Sequence, residues 1–429
     1  MSGGEKVISI EPLTRVEGEG HLRLVMENGK IKEVSLIIDE TPRLFEAFLV
    51  GRKYDEVHEI ASRICGICYV AHQITALRAV EKAIGVSVTE EIKKLRRFLA
   101  FAGWIQSHSL HLAFLALPDY FGHESVFSML KSPEHKDLVT LGIKLRTLGN
   151  KLVEQLGGRW AHPVTCVVGG FSKLPDQKWV EKAKEMLKEG KPDAEKLGKV
   201  VAKLEVPDFT VDREHVALWD PKEYPINEGR LRSNKGLDIS EDEFTKFILE
   251  STDPKTNVKR SKVKGRDVLL VGPLARVNLN YDKLSDDAKA LADEAGVKFP
   301  SQNPFLQNLA RAMELVHSFD ECLKILDELD ITAIKPKVEF EVKPGIGAAV
   351  TEAPRGILYH GYRIGRNGLV MSANVVTPTV HNVSSAEADL WSFGPHIANL
   401  SVDEATLKCG MLIRAYDFCL SCSVHVLRL

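Results

Sequence analysis

No stretch of this chain approaches the ~18 consecutive apolar residues of a membrane-spanning helix. The opening MSGGEKVISIEPLTRVEGEG has no apolar core either, so neither a span nor a secretory leader is expected. Charge of one sign is not in excess: 57 Lys and Arg stand against 59 Asp and Glu, a formal charge of -2. That balance, with no long run of either sign, argues against nucleic acid or an anionic membrane as partner. Cysteine is sparse, seven in 429 residues, and the number is odd. A disulfide scaffold is thereby excluded, and a reducing, cytoplasmic setting is expected. No internal repeat and no GxGxxG followed by an acidic residue occurs, so no nucleotide site is expected on this chain. What is present is apolar material, 44% of the residues, enough for a large core.

The periodicity divides the chain into three parts. Residues 1–64 read as a β-rich N-terminal segment, in which HLRLVMENGKIKEVSLII alternates on both sides of the turn signal Asn28-Gly29. Residues 65–335 read as a mainly helical body. A helix starts at Tyr69, another is opened by Thr89 and ends near Pro118, and others fit 134–156, 175–205 and 303–330. Within that body, 206–265 is mixed and polar and reads as a surface excursion. Residues 336–429 turn to strands again (VEFEV, AAVTE, GILYHGYRI, GLVMSANVV) and end in two short helices near 384–390 and 402–414. The fold class is α+β.

Four of the cysteines carry chemistry. RICGIC places Cys65 and Cys68 at the front, and DFCLSCSVH places Cys419 and Cys422 at the back. Four thiolates are a complete ligand set for a soft metal. A redox dithiol would need a βαβ setting that residues 1–64 do not offer. A structural zinc site is the stronger rival. However, pairs about 350 residues apart close a loop at a cost of ~5 kcal/mol, and a chain with this much apolar material has no need of a metal staple. Cys166, Cys322 and Cys409 read as buried small hydrophobes.

Other residues lean toward function. His72, one helical turn after Cys68, is placed to donate an N–H toward a metal-bound sulfur. Arg355 in TEAPRG sits where a strand ends, with Pro354 before it, and suits charge stabilisation beside a metal. In LTRVEGEGH a carboxylate near a bound thiolate suits proton transfer; Glu17 and Glu19 are equally eligible by composition.

The strings RVEGEGH (15–21), PRLFE (42–46), RICGICYVAH (63–72), SHSLHLAFLALPDY (107–120), GGRWAHP (157–163), APRG (353–356), VTPTVHN (376–382) and DFCLSCSVH (417–425) run through the whole chain. Together they resemble the large, catalytic subunit of nickel–iron hydrogenases, of the soluble multisubunit type. The resemblance implies that family's large-subunit fold and reversible heterolytic cleavage of dihydrogen. It places Cys65 and Cys419 on nickel and lets Cys68 and Cys422 bridge nickel to an iron carrying two cyanides and one carbon monoxide. It makes Glu17 the first proton carrier, Arg355 the guanidinium over the metal edge, Thr379 a hydrogen-bond donor to a cyanide, and His72 a partner of a bridging sulfur. Asp119, Pro354 and Asp417 become the surroundings of that edge, and Glu46 with His425 become ligands of a magnesium (or iron) near the C-terminus.

No further cysteine cluster is available for an iron–sulfur centre on this chain. The resemblance therefore implies a small iron–sulfur subunit, and electron-transfer subunits carrying flavin and NAD(P) or another soluble carrier. It also implies nickel-insertion factors and a maturation protease. Two departures stand out. Phe418 replaces the proline usual before the third cysteine. Residues 426–429 follow His425, where the family is cut on maturation, so a precursor sequence is expected. Two rival readings, a metal-free quinone-site subunit of a respiratory complex and a zinc-stabilised interaction protein, share parts of this pattern.

Overall fold

The computed structural model describes residues 5–252 and 258–424. Three antiparallel strands open it: β1 (Glu5–Ile10), β2 (Gly20–Glu27) and β3 (Lys30–Ile38), in that order across the sheet, with the turn at Asn28-Gly29. Their alternation buries Ile8, Leu22, Leu24, Leu36 and Ile38 on one face.

Helix α1 (Tyr69–Ile84) begins directly after Cys68, which is its N-cap residue. Helix α2 (Glu90–Leu110) is capped by Thr89, whose hydroxyl accepts from Ile92 N at 3.4 Å. It does not simply end near Pro118. The helix loosens into a π-helical turn at His111–Ala116 and resumes at Leu117–Tyr120, where Pro118 sits in the first turn and its missing N–H costs nothing. Helices α3 (Lys136–Gly157), α4 (Gln177–Ala202) and, later, α5 (Gln307–Asp327) match the expected periodic segments and pack with α2 as the helical body.

Between α4 and α5 the stretch read as a surface excursion is a packed layer. Strand β4 (Glu214–Trp219) buries Val216 and Leu218, and the hairpin β5 (Ile248–Thr252) and β6 (Lys259–Val263) buries Ile248 and Val263. Its polar composition misled because the charges are partnered: Glu214 is held by Arg266 and Ser233, and Arg260 by Glu387.

A second antiparallel sheet, β7 (Gly345–Ala353), β8 (Gly356–Ile364) and β9 (Val370–Val376), lies against α1. The approach is so close that a Cβ on Gly347 would stand 2.3 Å from Ala79 O. The segment VEFEV does not join this sheet. Residues around it make only the bridge Lys337–Gly170, because alternation alone supplies no partner strand. Helix α6 (Pro378–Ile397) is much longer than the 384–390 expected, and α7 (Val402–Ala415) opens with a capping box between Ser401 and Glu404. One apolar cluster extends from Ile8 to Val424. Among the described residues no helix is long and apolar enough to cross a membrane.

Candidate metal centre

The two cysteine pairs meet. The sulfurs of Cys65, Cys68, Cys419 and Cys422 lie within 4.8 Å of one another, all buried. Cys65 Sγ is 3.6 Å from Cys419 Sγ, and Cys419 and Cys422 touch sulfur to sulfur. Each pair sits on a tight local turn: Cys65 Sγ accepts from the backbone N–H of Ile67 (3.3 Å) and Cys68 (3.1 Å), the latter at the mouth of α1. Burial pushes the Cys65 thiol up, but hydrogen bonding from Cys68 and the charge of Arg355 override it and hold it below its ordinary value. Cys68, which donates to Cys65, is held well above.

The back pair is stitched to the N-terminal loop. Glu17 N donates to Phe418 O (3.1 Å) and Leu420 N to Glu17 O (2.7 Å), a two-bond bridge between residues far apart in sequence. That bridge brings Glu17 Oε2 to 2.9 Å from Cys419 Sγ, while Ser421 Oγ donates to Glu17 Oε1 at 2.6 Å. Gly18 is obligatory here: it adopts φ +89°, and a Cβ would stand 2.8 Å from Ser421 N. The structure thus separates Glu17 from Glu19, which lies on the exposed side with its N–H on Glu40.

Thr379, in the first turn of α6, accepts from Cys419 N at 3.1 Å, which leaves its hydroxyl proton free. Arg355 is buried at the turn between β7 and β8. Its Nε donates to Asp417 O (2.7 Å) and Nη2 pairs with Asp417 Oδ1 (3.0 Å), whereas Nη1 has no protein partner. Burial opposes the charge, but Asp417 and the thiols outweigh it and raise its pKa, so Arg355 stays cationic. Asp417 adopts φ +56° and is approached by His111 and Arg311 as well. Pro354 presents its carbonyl to Arg276 (2.9 Å). Asp119 does not reach Arg355. It is clamped by Arg15 and by Arg414, whose Nε and Nη2 donate at 2.5 and 2.9 Å.

Burial lowers the His72 pKa to about 3, so its ring is neutral. Tyr362 OH is 2.6 Å from His360 Nδ1, and His360 Nε2 is 3.1 Å from His72 Nδ1. If the phenol donates, the tautomers follow in sequence and His72 Nε2, which has no protein partner, carries the proton.

Glu46 lies elsewhere, at the start of the short helix Phe45–Leu49, bonded to Lys259 Nζ (2.9 Å) and to Val375 N (2.7 Å). His425, its expected companion, and residues 426–429 fall outside the described residues.

Several contributors escaped sequence reasoning, among them Ser421, His360, Arg311 and Arg276. Arg276 carries the largest share of fixed contacts. It grips both oxygens of Glu314 (2.6 Å each), Glu352 Oε2 (2.9 Å) and the carbonyls of Ala353 and Pro354 (2.9 Å each). Its segment, GPLARVNLN, carries no pattern that marks a buried guanidinium.

Four buried, convergent cysteine sulfurs, an unpartnered guanidinium nitrogen and an unpartnered imidazole nitrogen fit a sulfur-bound metal better than a closed hydrophobic junction. The fold and this basin define a metal-dependent oxidoreductase subunit. Residues 43–139 and 232–425 match the family described as nickel-dependent hydrogenase. The alpha subunit of sulfhydrogenase 1 from Pyrococcus furiosus is 38% identical over 425 residues, covering 98% of each chain. The alpha subunit of sulfhydrogenase 2 from the same organism is 33% identical over 425 residues, covering 99% of this chain and 100% of the relative. Among solved structures, an NAD+-reducing [NiFe]-hydrogenase in its H2-reduced state superposes with a TM-score of 0.88 at 25% identity, covering 99% of this chain and all of the other. The chain belongs to the nickel-dependent hydrogenase family, and it is a catalytic subunit for the reversible oxidation of dihydrogen. Both of these relatives are named as alpha subunits.

Proposed function

We propose that Cys65, Cys68, Cys419 and Cys422 hold a nickel–iron centre, with Cys65 and Cys419 on nickel alone, Cys68 and Cys422 shared with iron, and two cyanides and one carbon monoxide on the iron. When bound, that centre supplies an electron-accepting site for dihydrogen, which is too weak an acid to be split by a base alone. The residues around it supply the rest. Cys419 receives the proton and passes it across 2.9 Å to Glu17, the observation that carries this reading. Glu17 is half-exposed, and Ser421 fixes its second oxygen, so the carboxyl stands between a buried thiol and the protein surface. Arg355, held by Asp417, keeps one N–H direction free at a permanently charged group. Thr379 retains a hydroxyl proton for a diatomic ligand, and His72 an N–H for a bridging sulfur.

Glu46, whose Oε1 accepts from Lys259 Nζ and Val375 N, would with His425 help hold a magnesium (or iron) ion near the C-terminus. Electrons leave through a partner iron–sulfur subunit and reach a soluble carrier; the NAD+-reducing relative supports NAD(P) in that role. Infrared spectroscopy of the purified complex is the test. Bands of metal-bound CO and CN, with nickel present in equal amount to this chain, are expected. Zinc in place of nickel, with no such bands, would overturn the assignment.

A further inference from the structure

His72 and Cys68 share one turn of α1, tied by the bond from His72 N to Cys68 O at 3.2 Å. What the imidazole can do for a bound sulfur depends on which of its nitrogens holds the proton. Two residues of the sheet beside α1 bear on that choice. His360 and Tyr362, two apart on β8, present their side chains on one face. With His72 they form a buried file, each at most 1% exposed. Tyr362 Oη lies 2.6 Å from His360 Nδ1, and His360 Nε2 lies 3.1 Å from His72 Nδ1.

Such a file can run in two directions. If the phenol donates, His360 accepts at Nδ1 and donates from Nε2. His72 then accepts at Nδ1 and carries its own proton on Nε2. In the reverse direction His72 donates from Nδ1 and His360 donates to the phenol oxygen. The phenolic proton then has no acceptor, since among the described residues His360 is the one hydrogen-bond partner of that hydroxyl. His72 Nε2 would at the same time be a buried lone pair with no donor. The reverse file strands two buried polar sites. The forward file strands one, an N–H that a metal-bound thiolate can accept. Burial, with the Glu46 carboxylate nearby, also holds the Tyr362 hydroxyl well above its ordinary pKa, so the phenol keeps the proton it donates.

We propose that Tyr362, acting through His360, is a positioning residue that fixes His72 as the Nε2–H tautomer and polarises that N–H toward a bridging sulfur. The step to sulfur rests on the nickel–iron assignment; the tautomer does not. A thiolate that accepts a stronger hydrogen bond gives less charge to iron, which then returns less to carbon monoxide. Weakening the file should therefore lower the CO stretching frequency.

The test has two arms. In nickel-free, full-length protein with ring-labelled histidine, the His72 signal is the one lost in H72Q, and its nitrogen shifts tell N–H from lone pair. Wild type should show a single tautomer, protonated at Nε2. Y362F and H360L should show both tautomers in exchange, while H360Q, whose amide can still donate to His72, should keep one. In the purified, metal-loaded complex, Y362F and H360L should hold as much nickel as wild type and show the CO band at lower wavenumber. H360Q should leave the band in place. Phenylalanine and leucine keep the apolar bulk, so a packing role alone would produce neither change. A wild-type His72 protonated at Nδ1 overturns the proposal, as do CO bands in Y362F and H360L identical to wild type. Should a variant fail to fold, the wild-type tautomer decides alone. Absence of CO and CN bands from the wild type would instead remove the nickel–iron assignment, with the tautomer still read from the nickel-free chain.

Discussion

Glu17 is the residue on which the proton argument turns, and its role is separable from metal binding. Its carboxylate lies against Cys419 Sγ on one side and accepts from Ser421 on the other, while its backbone holds the loop against Phe418 and Leu420. Glu17→Gln keeps the backbone bridge, the size and the hydrogen-bonding capacity to Ser421, but removes the titrating group. General acid–base contributions run at about 10²–10⁴-fold, so hydrogen turnover should fall by about that factor while nickel content and the CO and CN bands stay as in wild type. Unchanged turnover in E17Q would sink the proton-carrier role; loss of nickel would show the residue to be a scaffold instead. The choice between Glu17 and Glu19 was not legible in the sequence, because both share one loop and one chemistry. Only the pairing with Phe418 and Leu420 turns one of them inward. Phe418 itself, where the family resemblance leads one to expect proline, is buried and stacks on Tyr416 with ring centroids 5.5 Å apart. Truncation to Ala would remove that packing at a cost of about 3 kcal/mol or more.

Elements meet the site through Arg276, which ties α5 to the turn after β7. Glu314 on α5 is fully buried. Burial by itself would push its carboxyl up, but Arg276 and His108 override that and hold it at about 2. Its unfolded counterpart titrates near 4.5, so the native state binds fewer protons between those values. Stability from this group is therefore complete above about pH 4.5 and is lost as pH falls toward 2. Glu314→Gln leaves the guanidinium short of charge, and breaking a buried pair from one side costs about 3–5 kcal/mol. In urea unfolding followed by tryptophan fluorescence, which Trp104 should report from beneath Arg276 (4.4 Å to the ring centre), that gap should close below pH 4.5. A gap constant with pH would refute the assignment. Most helices were legible as elements because periodicity and caps are local: Thr89, the apolar stripe of α5 and the Ser401–Glu404 box all act within a turn or two. The π-helical turn at His111–Ala116 was not, since one extra residue in a turn leaves the apolar pattern nearly intact. The length of α6 was missed for the opposite reason. Its polar residues Thr379, His381, Asn382, Ser385 and Asp389 are buried and partnered, which blurs the amphipathic signal.

At the scale of the whole molecule, two ends of the chain close on one point. The cysteine spacing was legible because each pair is three residues apart and ligand chemistry is specific. The clamps that bring the pairs together were not, because Glu17–Cys419, Arg355–Asp417 and Glu46–Lys259 join residues 402, 62 and 213 positions apart. Local pattern carries no information about such pairings. The arrangement has a dynamic consequence. Protein hydrogen bonds connect the RVEGEG loop to residues 418–421, Arg355 to Asp417, and Thr377 and Thr379 to Cys422 and Cys419. A metal would add ligand bonds from both ends at once, so its binding energy acts on the closure of the whole basin. Protein produced without nickel should therefore exchange amide hydrogens faster at residues 15–20, 64–68 and 416–422 together. The helical body α2–α5, which contributes no cysteine to the basin, should keep its protection. On loading with nickel the three segments should become protected as one unit. If residues 416–422 alone responded, with 15–20 unchanged, the Glu17–Phe418–Leu420 bridge would not couple the two ends, and the N-terminal loop would be a passive neighbour of the metal centre.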